Sequence, residues 1–257
     1  MNSTNARPDE LVDAYTRDGY VVVRDVLDEE LVTAAGLHVD WMQQRHPDRL
    51  GEDLGHDLIT DDPFWLSLVA DDRLLDLAAR FIGDDIALFA SHYICKPAGS
   101  GRPVLWHQDA GYWPLEPMVA VTLWLAIDAS TTENGCLRVV PGSHLGGVHE
   151  RRSRDDVVSV FGDESAVDVD ESSAIDLVLA SGDVEIHHPS LLHSSGPNTS
   201  ADRRCGLTIR YIPTTTRILS DEQPYASAFL LRGDPGVNVY QVPPTHDPER
   251  HFNAQLA

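Results

Sequence analysis

The sequence has little positive charge and almost no lysine. Its 257 residues include 19 basic and 41 acidic side chains, which gives a formal net charge of −22 at neutral pH. Lys96 is the only lysine. A surface of this sign repels nucleic acid and anionic membranes, so we expect neither as a partner. A site for an anionic small molecule would need basic residues of its own.

Cysteine and long apolar runs are also scarce. Cys95, Cys136 and Cys205 are the only cysteines, and no C-x-x-C occurs. No disulfide framework is therefore expected, and a reducing, cytoplasmic location is favoured. The segment Met1–Glu10 lacks the apolar region of a signal peptide, and no run of eighteen apolar residues that would span a membrane is present.

Helical signals concentrate in the first third of the chain. Capping residues, acidic first turns and apolar positions three or four residues apart indicate where these elements begin and end. The predicted elements are a helix over residues 8–18, a short β-branched strand over 20–23, a helix from an Asp28 cap to just before Pro47, and a helix over 72–82. We expect residues 1–83 to form a helix-rich N-terminal part.

After Gly83 the pattern changes to short runs rich in Val, Ile, Leu and Trp, separated by turn residues. The predicted strands are 86–95, 104–107, 119–127, 136–140, 174–179, 183–187, 191–194 and 205–212. Eight short strands with turns between them predict a double-sheet jelly roll or barrel, with the helices packed on one outer face.

No linker divides the chain, so we expect one domain over residues 1–257. Its β core would be 84–212, followed by an irregular tail over 213–257. Within the core, the stretch 149–173 is acidic and poor in large apolar residues. Such an insertion is either a lid or binding loop or a disordered segment, and the sequence does not separate the two.

His107 and Asp109 form a His-x-Asp pair at the end of a predicted strand. Because alternate side chains of a strand share a face, both can point into a barrel mouth while Gln108 points elsewhere. The chain has twelve histidines and many aspartates, so one such pair by chance is common. With a distant histidine, however, the pair completes the 2-His-1-carboxylate set that holds non-haem Fe(II) and leaves coordination positions open.

Three histidines compete for the third ligand position: His187, His188 and His193. His193 lies on a predicted strand eleven residues before Arg204, and a hairpin of this span can bring both onto one interior wall. His188 has no such partner at a matching offset. His193 is therefore favoured.

Arg204 and Ser195 suggest a co-substrate. A guanidinium binds a carboxylate through two parallel hydrogen bonds. A 2-oxo acid that chelates iron through its carboxylate and keto oxygens leaves a far carboxylate that needs such a cation. Ser195 shares a strand face with His193 and can donate a second hydrogen bond. The alternative is that Arg204 is a surface residue.

Four further residues are candidates for substrate contact. Tyr112 and Trp113 follow the His-x-Asp pair, where aromatic rings suit an apolar or cyclic substrate, although simple packing explains them equally well. Lys96 is a candidate partner for a carboxylate of substrate or co-substrate; the alternative is an exposed lysine at a strand end. Arg210 is a further residue that can point inward.

Taken together and in this order, the motifs resemble the phytanoyl-CoA dioxygenase family of Fe(II)/2-oxoglutarate oxygenases. The resemblance covers nearly the whole chain, and the joint pattern is specific although each piece alone is not. The motifs are DGYVVV at 18–23, WHQD at 106–109, LWLAID at 123–128, ENGCL at 133–137, PGSH at 141–144, GD at 182–183, HSSGPN at 193–198, Arg204 and RY at 210–211.

The resemblance implies a mostly β protein with flanking helices, built on a cupin-like double-stranded β-helix. It also implies an iron site and a 2-oxoglutarate site, with O2 as the second co-substrate. The iron ligands would be His107, Asp109 and His193. The 2-oxoglutarate contacts would be Arg204, Ser195, Gln108 and Trp124.

The expected activity is hydroxylation of an unactivated C–H bond of a small molecule, with release of succinate and CO2. Related halogenases have a small residue in place of Asp109, so its presence disfavours halogenation. Scarce lysine beside abundant arginine is typical of GC-rich coding, which favours bacterial secondary metabolism. Desaturation, epoxidation and rearrangement remain alternatives with the same cofactors. A cupin-like zinc hydrolase or isomerase and a non-catalytic binding barrel are the rival classes.

Overall fold

The computed structural model describes residues 8–220 and 228–253. Within these ranges the α-helices are α1 (Pro8–Asp18), α2 (Glu29–Arg45), α3 (Pro63–Val69) and α4 (Asp72–Ile82). The helices α1, α2 and α4 match the predicted ones. Asp28 caps α2 by accepting a hydrogen bond from the backbone N–H of Leu31 at 2.9 Å. Gly83 follows α4 with a φ of +85°, a conformation that favours glycine.

The helix α3 is absent from the sequence prediction because seven residues are too few to show a periodic apolar pattern. Its start does carry a local signal. Asp62 accepts a hydrogen bond from the backbone N–H of Trp65 at 2.8 Å, and Pro63 occupies the first helical turn.

All eight predicted strands are present, with ends that shift by at most a few residues. Further short strands lie among them and in the C-terminal region. The strands are β1 (Tyr20–Val23), β2 (Ile86–Lys96), β3 (Val104–His107), β4 (Leu115–Glu116), β5 (Val121–Ala126), β6 (Leu137–Val139), β7 (Arg151–Ser153), β8 (Asp163–Ser165), β9 (Ile175–Leu177), β10 (Val184–His187), β11 (His193–Ser195), β12 (Arg204–Pro213), β13 (Arg217–Ile218) and β14 (Phe229–Arg232).

Two antiparallel sheets form the β core. The larger has the strand order β1-β10-β5-β12-β2-β14, and the smaller has the order β3-β11-β6-β9. Two-stranded pairs, β4 with β13 and β7 with β8, complete the described sheets. The architecture is a mostly β jelly roll with flanking helices, which confirms the predicted fold class.

Residue alternation assigns the two faces of the larger sheet. On β5, Leu123 and Leu125 belong to the apolar cluster that also contains side chains of all four helices. Trp124 and Ala126 belong to a second cluster, shared with the smaller sheet. The helices thus cover one face, and the other face encloses a space between the sheets. The polar site described below occupies that space.

The insertion over residues 149–173 contains the paired strands β7 and β8, so it is an ordered hairpin and not a disordered segment, whereas its role as a lid or binding loop stays a prediction. The backbone N–H of Val160, at the hairpin tip, donates to the carbonyl of Pro103 at 3.0 Å. That contact fixes the tip beside the start of β3. The ring of the next residue, Phe161, lies 5.3 Å from that of His107, so the hairpin also reaches the end of β3 that carries His107.

The region over residues 213–257 is more regular than predicted. The strand β14 pairs with β2 and so adds a sixth strand to the larger sheet. Phe252 is buried against Phe64, with ring centroids 4.9 Å apart. The apolar run of β14 is too short to stand out from the surrounding Pro-rich sequence.

The cysteines also differ from expectation, because Cys95 and Cys205 form a disulfide. They lie directly opposite each other on β2 and β12, and this proximity is invisible in their spacing along the chain. Cys136 is free and buried. Among the described residues, no helix is long and apolar enough to cross a membrane. Residues 1–7, part of the segment on which the absence of a signal peptide was argued, lie outside the described ranges.

Candidate functional site

Two histidines and an aspartate meet at one end of the barrel. His107 is the last residue of β3, and His193, the first residue of β11, lies directly opposite it in the register. Gln108 is extended, with φ −124° and ψ 124°, so Asp109 returns to the same side as His107 although it already begins a turn. One possible ligand atom from each of His107, Asp109 and His193 lies within 4.8 Å of the others, and all three residues are buried.

Both imidazoles are oriented by their own chain segments. His107 Nδ1 lies 2.9 Å from the carbonyl of Leu105, and His193 Nδ1 lies 3.0 Å from the carbonyl of Leu191. A carbonyl accepts only, so Nδ1 carries the hydrogen and the Nε2 lone pair is left for a metal. Burial lowers the pKa of both histidines, that of His193 strongly, which keeps the rings neutral.

The two oxygens of Asp109 have different surroundings. Oδ2 accepts a hydrogen bond from the Thr122 hydroxyl at 2.9 Å, and His187 Nε2 and Arg210 Nε lie 3.4 and 3.7 Å from it. Oδ1 lies 3.8 Å from His107 Nε2. Burial on its own would raise the pKa of Asp109, but Arg210 and the neighbouring histidines hold it well below its usual range. The carboxylate is therefore ionised.

This donor set fits a divalent transition metal. Two neutral imidazoles and one ionised carboxylate on one side of a cavity are the ligands of the facial triad, which leaves the remaining positions open. Both histidines have an outer hydrogen-bond partner that fixes the ring, as metal-ligating histidines generally do. His107, Asp109 and His193 would hold the ion.

A cavity that measures about 410 Å³, including its opening to solvent, extends from the triad toward Arg204, Ser195 and Trp124, which all line it. Arg204 is buried, with its guanidinium carbon 5.2 Å from the centre of the Trp124 ring. Its Nε donates to the carbonyl of Gly135 at 3.1 Å, and its Nη2 donates to the same oxygen. Burial lowers the pKa of Arg204 to about 10, so the guanidinium is charged at neutral pH. Three of the four residues predicted to contact 2-oxoglutarate thus share one cavity.

Lys96 lies immediately behind this cavity and is buried, contrary to the alternative of an exposed strand-end lysine. It pairs with Arg204 across β2 and β12. Its Nζ donates to the Ser195 hydroxyl at 2.7 Å and also to the Gly196 carbonyl. Burial, followed by the charge of Arg204, lowers the pKa of Lys96 to about 6. The only lysine of the chain therefore holds the Ser195 hydroxyl by a hydrogen bond.

A second cavity meets the first at the triad, and His107 and Asp109 line both. Including its opening to solvent, it measures about 530 Å³. The predicted substrate residues Tyr112, Trp113 and Arg210 all line it. Arg210 Nη1 contacts His92 Nδ1 at 2.8 Å, whereas its Nε is buried without a hydrogen-bond partner.

Gln108 is placed elsewhere than the resemblance implies. Its amide donates to the carbonyls of Gly147 at 2.8 Å and Ser190 at 2.7 Å, and its oxygen accepts from the backbone N–H of His149 at 2.8 Å. An amide whose hydrogen bonds all go to backbone groups, and which lines neither cavity, fastens the loop at Gly147 instead of contacting a ligand. The alternation that places His107 and Asp109 inward points Gln108 outward.

The sequence interpretation missed several residues at the site. Phe161 from the β7–β8 hairpin lines both cavities, with its ring 5.3 Å from that of His107. Thr122 and the buried pair Glu185 and His187 lie around Asp109. His187 was considered only as a third metal ligand. The signal available was the alternation of Glu185 and His187 on one strand, two ionisable residues on a face where apolar ones are usual.

A jelly roll with a buried His-Asp-His triad and an adjoining cavity that contains an arginine defines the class of non-haem iron oxygenases. Comparison with family models gives the assignment: residues 15–206 match the model for phytanoyl-CoA dioxygenase. The chain belongs to the phytanoyl-CoA dioxygenase family.

Curated relatives and solved structures agree with this assignment. A probable alpha-ketoglutarate-dependent hypophosphite dioxygenase of Stutzerimonas stutzeri is 36% identical over 56% of this chain and 51% of its own length. The match thus spans about half of that relative. L-proline trans-4-hydroxylase of Streptomyces griseoviridis is 28% identical over 86% of this chain and 91% of its own. The solved structure of the non-heme monooxygenase ThoJ has a TM-score of 0.77 and 29% identity, covering 91% of this chain and 88% of that one.

Proposed function

We propose that this protein is an Fe(II)- and 2-oxoglutarate-dependent dioxygenase that hydroxylates an unactivated C–H bond of a small molecule. The observation that carries the proposal is the buried His107, Asp109 and His193 triad with Arg204 in the adjoining cavity. Iron with 2-oxoglutarate and dioxygen supplies the oxidising power for this chemistry, and succinate and CO2 are released.

The protein's own residues bind and orient the co-substrate. The Arg204 guanidinium and the Ser195 hydroxyl bind the far carboxylate of 2-oxoglutarate, and Trp124 packs beside it. Lys96 Nζ donates a hydrogen bond to the Ser195 oxygen and so holds that hydroxyl in place. This places the keto-acid end of the molecule toward the triad, in a cavity whose walls also include Val104, Leu137 and Phe161.

The second cavity is the proposed substrate site. Tyr112, Trp113 and Phe161 provide aromatic walls for an apolar or cyclic body, and Arg210 is a buried cation among them. The shared lining by His107 and Asp109 brings a bound substrate next to the metal. A small molecule is therefore the proposed partner. Bacterial secondary metabolism is proposed as its setting because scarce lysine beside abundant arginine is typical of GC-rich coding. A cytoplasmic location is proposed from the scarcity of cysteine, and the Cys95–Cys205 disulfide counts against it.

Two rival classes have less support. A zinc hydrolase or isomerase uses the same triad but has no task for Arg204 and Ser195 together. A non-catalytic barrel has no need of neutral, backbone-oriented imidazoles beside an ionised carboxylate. Within the oxygenase class, desaturation, epoxidation and rearrangement are distinguished from hydroxylation only by the product.

The test is succinate formation from 2-oxoglutarate by the iron-loaded protein, measured with and without oxygen and with a panel of small molecules. We expect oxygen-dependent turnover that a substrate stimulates and that His107→Ala and Asp109→Ala abolish. Retention of coupled turnover in either variant would overturn the assignment. Turnover with zinc, in the absence of oxygen and 2-oxoglutarate, would favour the hydrolase class.

A further inference from the structure

Glu185 and His187 are buried beside the triad and have no task in the proposed reaction. Both project from β10 into the space between the sheets, where their opposite residues on β5 are Trp124 and Thr122. Glu185 is fully buried and His187 is 2% exposed. Burying an ionisable pair is unfavourable unless its partners compensate for the lost hydration. A pair of this kind at this position therefore requires a physical explanation.

The hydrogen bonds of the pair are directed toward Asp109. His187 Nδ1 lies 2.8 Å from Glu185 Oε2, and His187 Nε2 lies 3.4 Å from Asp109 Oδ2. The other oxygen of Glu185 is buried without a hydrogen-bond partner. Glu185 thus hydrogen-bonds to His187, and His187 hydrogen-bonds to the carboxylate of the triad.

We propose that Glu185 and His187 are positioning residues that restrict Asp109 to one metal-ligating oxygen. Glu185 fixes the rotation of the His187 ring, and His187 and the Thr122 hydroxyl together occupy Oδ2. Oδ1, on the side of His107, is left for the metal. The inference rests on the proposed function, because it requires a metal on the triad.

The consequence concerns the number of open positions. A carboxylate can ligate a metal through one oxygen or through both. A two-oxygen contact by Asp109 would take a position that the co-substrate or oxygen needs. Filling Oδ2 with hydrogen-bond donors from the larger sheet prevents this contact, and it also makes the orientation of Asp109 independent of the metal.

The experiment measures the dissociation constant of cobalt(II) by calorimetry and its visible spectrum, which reports coordination number. His187→Leu removes the donor, and we expect affinity to fall by roughly 10- to 100-fold, with a changed spectrum. His187→Gln keeps an amide N–H within reach of Asp109 and should restore most of the affinity and the original spectrum. Glu185→Leu should weaken binding in the same direction as His187→Leu.

His38 provides a matched control. It is fully buried, its Nε2 lies 2.9 Å from Asp62 Oδ2, and it lines neither cavity. His38→Gln should lower the free energy of unfolding and leave the cobalt affinity unchanged. If it weakens cobalt binding as much as His187→Leu does, the effect on binding is general loss of packing and the inference is wrong.

The experiment distinguishes a failure of the positioning role from a failure of the proposed function. Wild-type affinity and spectrum in His187→Leu would overturn the positioning role while leaving the metal site intact. Should His187→Gln bind as poorly as His187→Leu, with the same spectrum, the hydrogen bond to Oδ2 is not what matters. If the wild-type protein binds no cobalt, or His107→Ala binds it equally well, the proposed function itself fails.

Discussion

Arg204 and Arg203 are neighbours in sequence with opposite surroundings. Arg204 faces the interior and is buried. Arg203 faces outward, where it forms ion pairs with Asp128 at 2.8 Å and Asp40 at 2.5 Å. Arg204 therefore has the proposed binding role, and the adjacent Arg203 has a structural one. Substituting each arginine in turn affects opposite sides of the sheet.

We expect Arg204→Met to raise the KM for 2-oxoglutarate by about 30-fold or more, because the far carboxylate would lose a buried charged partner worth about 2 kcal/mol or more. The cobalt dissociation constant should stay unchanged. Steady-state succinate assays and calorimetry check both values. Arg203→Met is the control and should leave the KM near that of the wild type. An unchanged KM in Arg204→Met would contradict the role of Arg204.

Lys96 makes the stability of the fold depend on pH. Its folded-state pKa of about 6 lies below its ordinary value of 10.5, so between these values the unfolded chain binds more protons. The free energy of unfolding therefore rises with pH across this window, by up to about 1.4 kcal/mol per unit from this group.

We expect Lys96→Met to remove that contribution. The variant should be more stable than the wild type near pH 6 to 7, with the difference shrinking toward pH 10. Urea unfolding at several pH values measures the difference in free energy of unfolding between variant and wild type. Titration of the other groups contributes equally to both proteins and cancels in this difference. A difference that does not vary with pH would show that the folded-state pKa of Lys96 is close to its ordinary value.

At the level of single residues, strand alternation pairs His107 with Asp109 and His193 with Ser195, whereas Arg204 was selected with His193 by the span of a hairpin and by the family resemblance. The sequence did not predict that Glu185 and His187 would act on Asp109, since that contact joins a turn after β3 to a strand more than seventy residues later. The Gln108 contacts were misjudged for a similar reason. Its partners, Gly147 and Ser190, lie in loops whose positions depend on the whole barrel.

Among the structural elements, the β7–β8 hairpin is the one that covers the site. Its attachment depends on Asp163, which accepts hydrogen bonds from the Tyr112 hydroxyl and from Arg151 Nη1, the latter at 2.9 Å. The Arg151 guanidinium also lies over the Tyr112 ring, 4.3 Å from its centre. The hairpin is thereby connected to the segment that immediately follows Asp109.

We expect Asp163→Ala to speed amide hydrogen exchange across residues 151–165 by about tenfold or more, because hydrogen bonds to a charged group contribute about 1.5 kcal/mol or more each. Exchange in β10 should not change. Mass spectrometry of exchanged peptides checks both. Asp155→Ala is the control, since Asp155 is exposed and bonds only within the hairpin, to Ser153. Equal effects of the two variants would contradict the attachment.

The β7–β8 hairpin shows why its two strands could not be predicted from the local sequence pattern. Its sequence is acidic and weakly apolar, so periodicity gave no strand. The order comes from paired charges, such as Arg152 and Arg154 on Glu164, and from Phe161 reaching the cavities. These contacts depend on the partner surface and are not contained in the local pattern. The longer helices and strands were predictable because each buries one face along its own length.

For the molecule as a whole, the net charge of −22 acts against compactness. Several arginines at the surface pair with carboxylates, including the half-buried Arg232 with Asp72 and Asp76, but such surface pairs contribute only about 0–1 kcal/mol each. The excess of 22 acidic groups is left to repel over longer distances. Salt screens that repulsion.

We expect the thermal midpoint to rise when the ionic strength increases from about 0.01 M to about 0.15 M, which shortens the Debye length from about 30 Å to about 8 Å. Calorimetry in buffers that differ only in sodium chloride checks this. A falling midpoint would mean that the local ion pairs outweigh the overall repulsion.

The register between β3 and β11 has a consequence for how the chain folds. His107 and His193 are paired across these strands. A slip by one residue would turn one of the two rings to the opposite face and dismantle the site. A metal ion bound by both rings would therefore favour the correct alignment. It would stabilise the correctly aligned chain by RT ln(1 + [M]/Kd), where [M] is the free metal concentration, and a misaligned chain without the site would gain none of this. The yield of native protein would then depend on the metal supply.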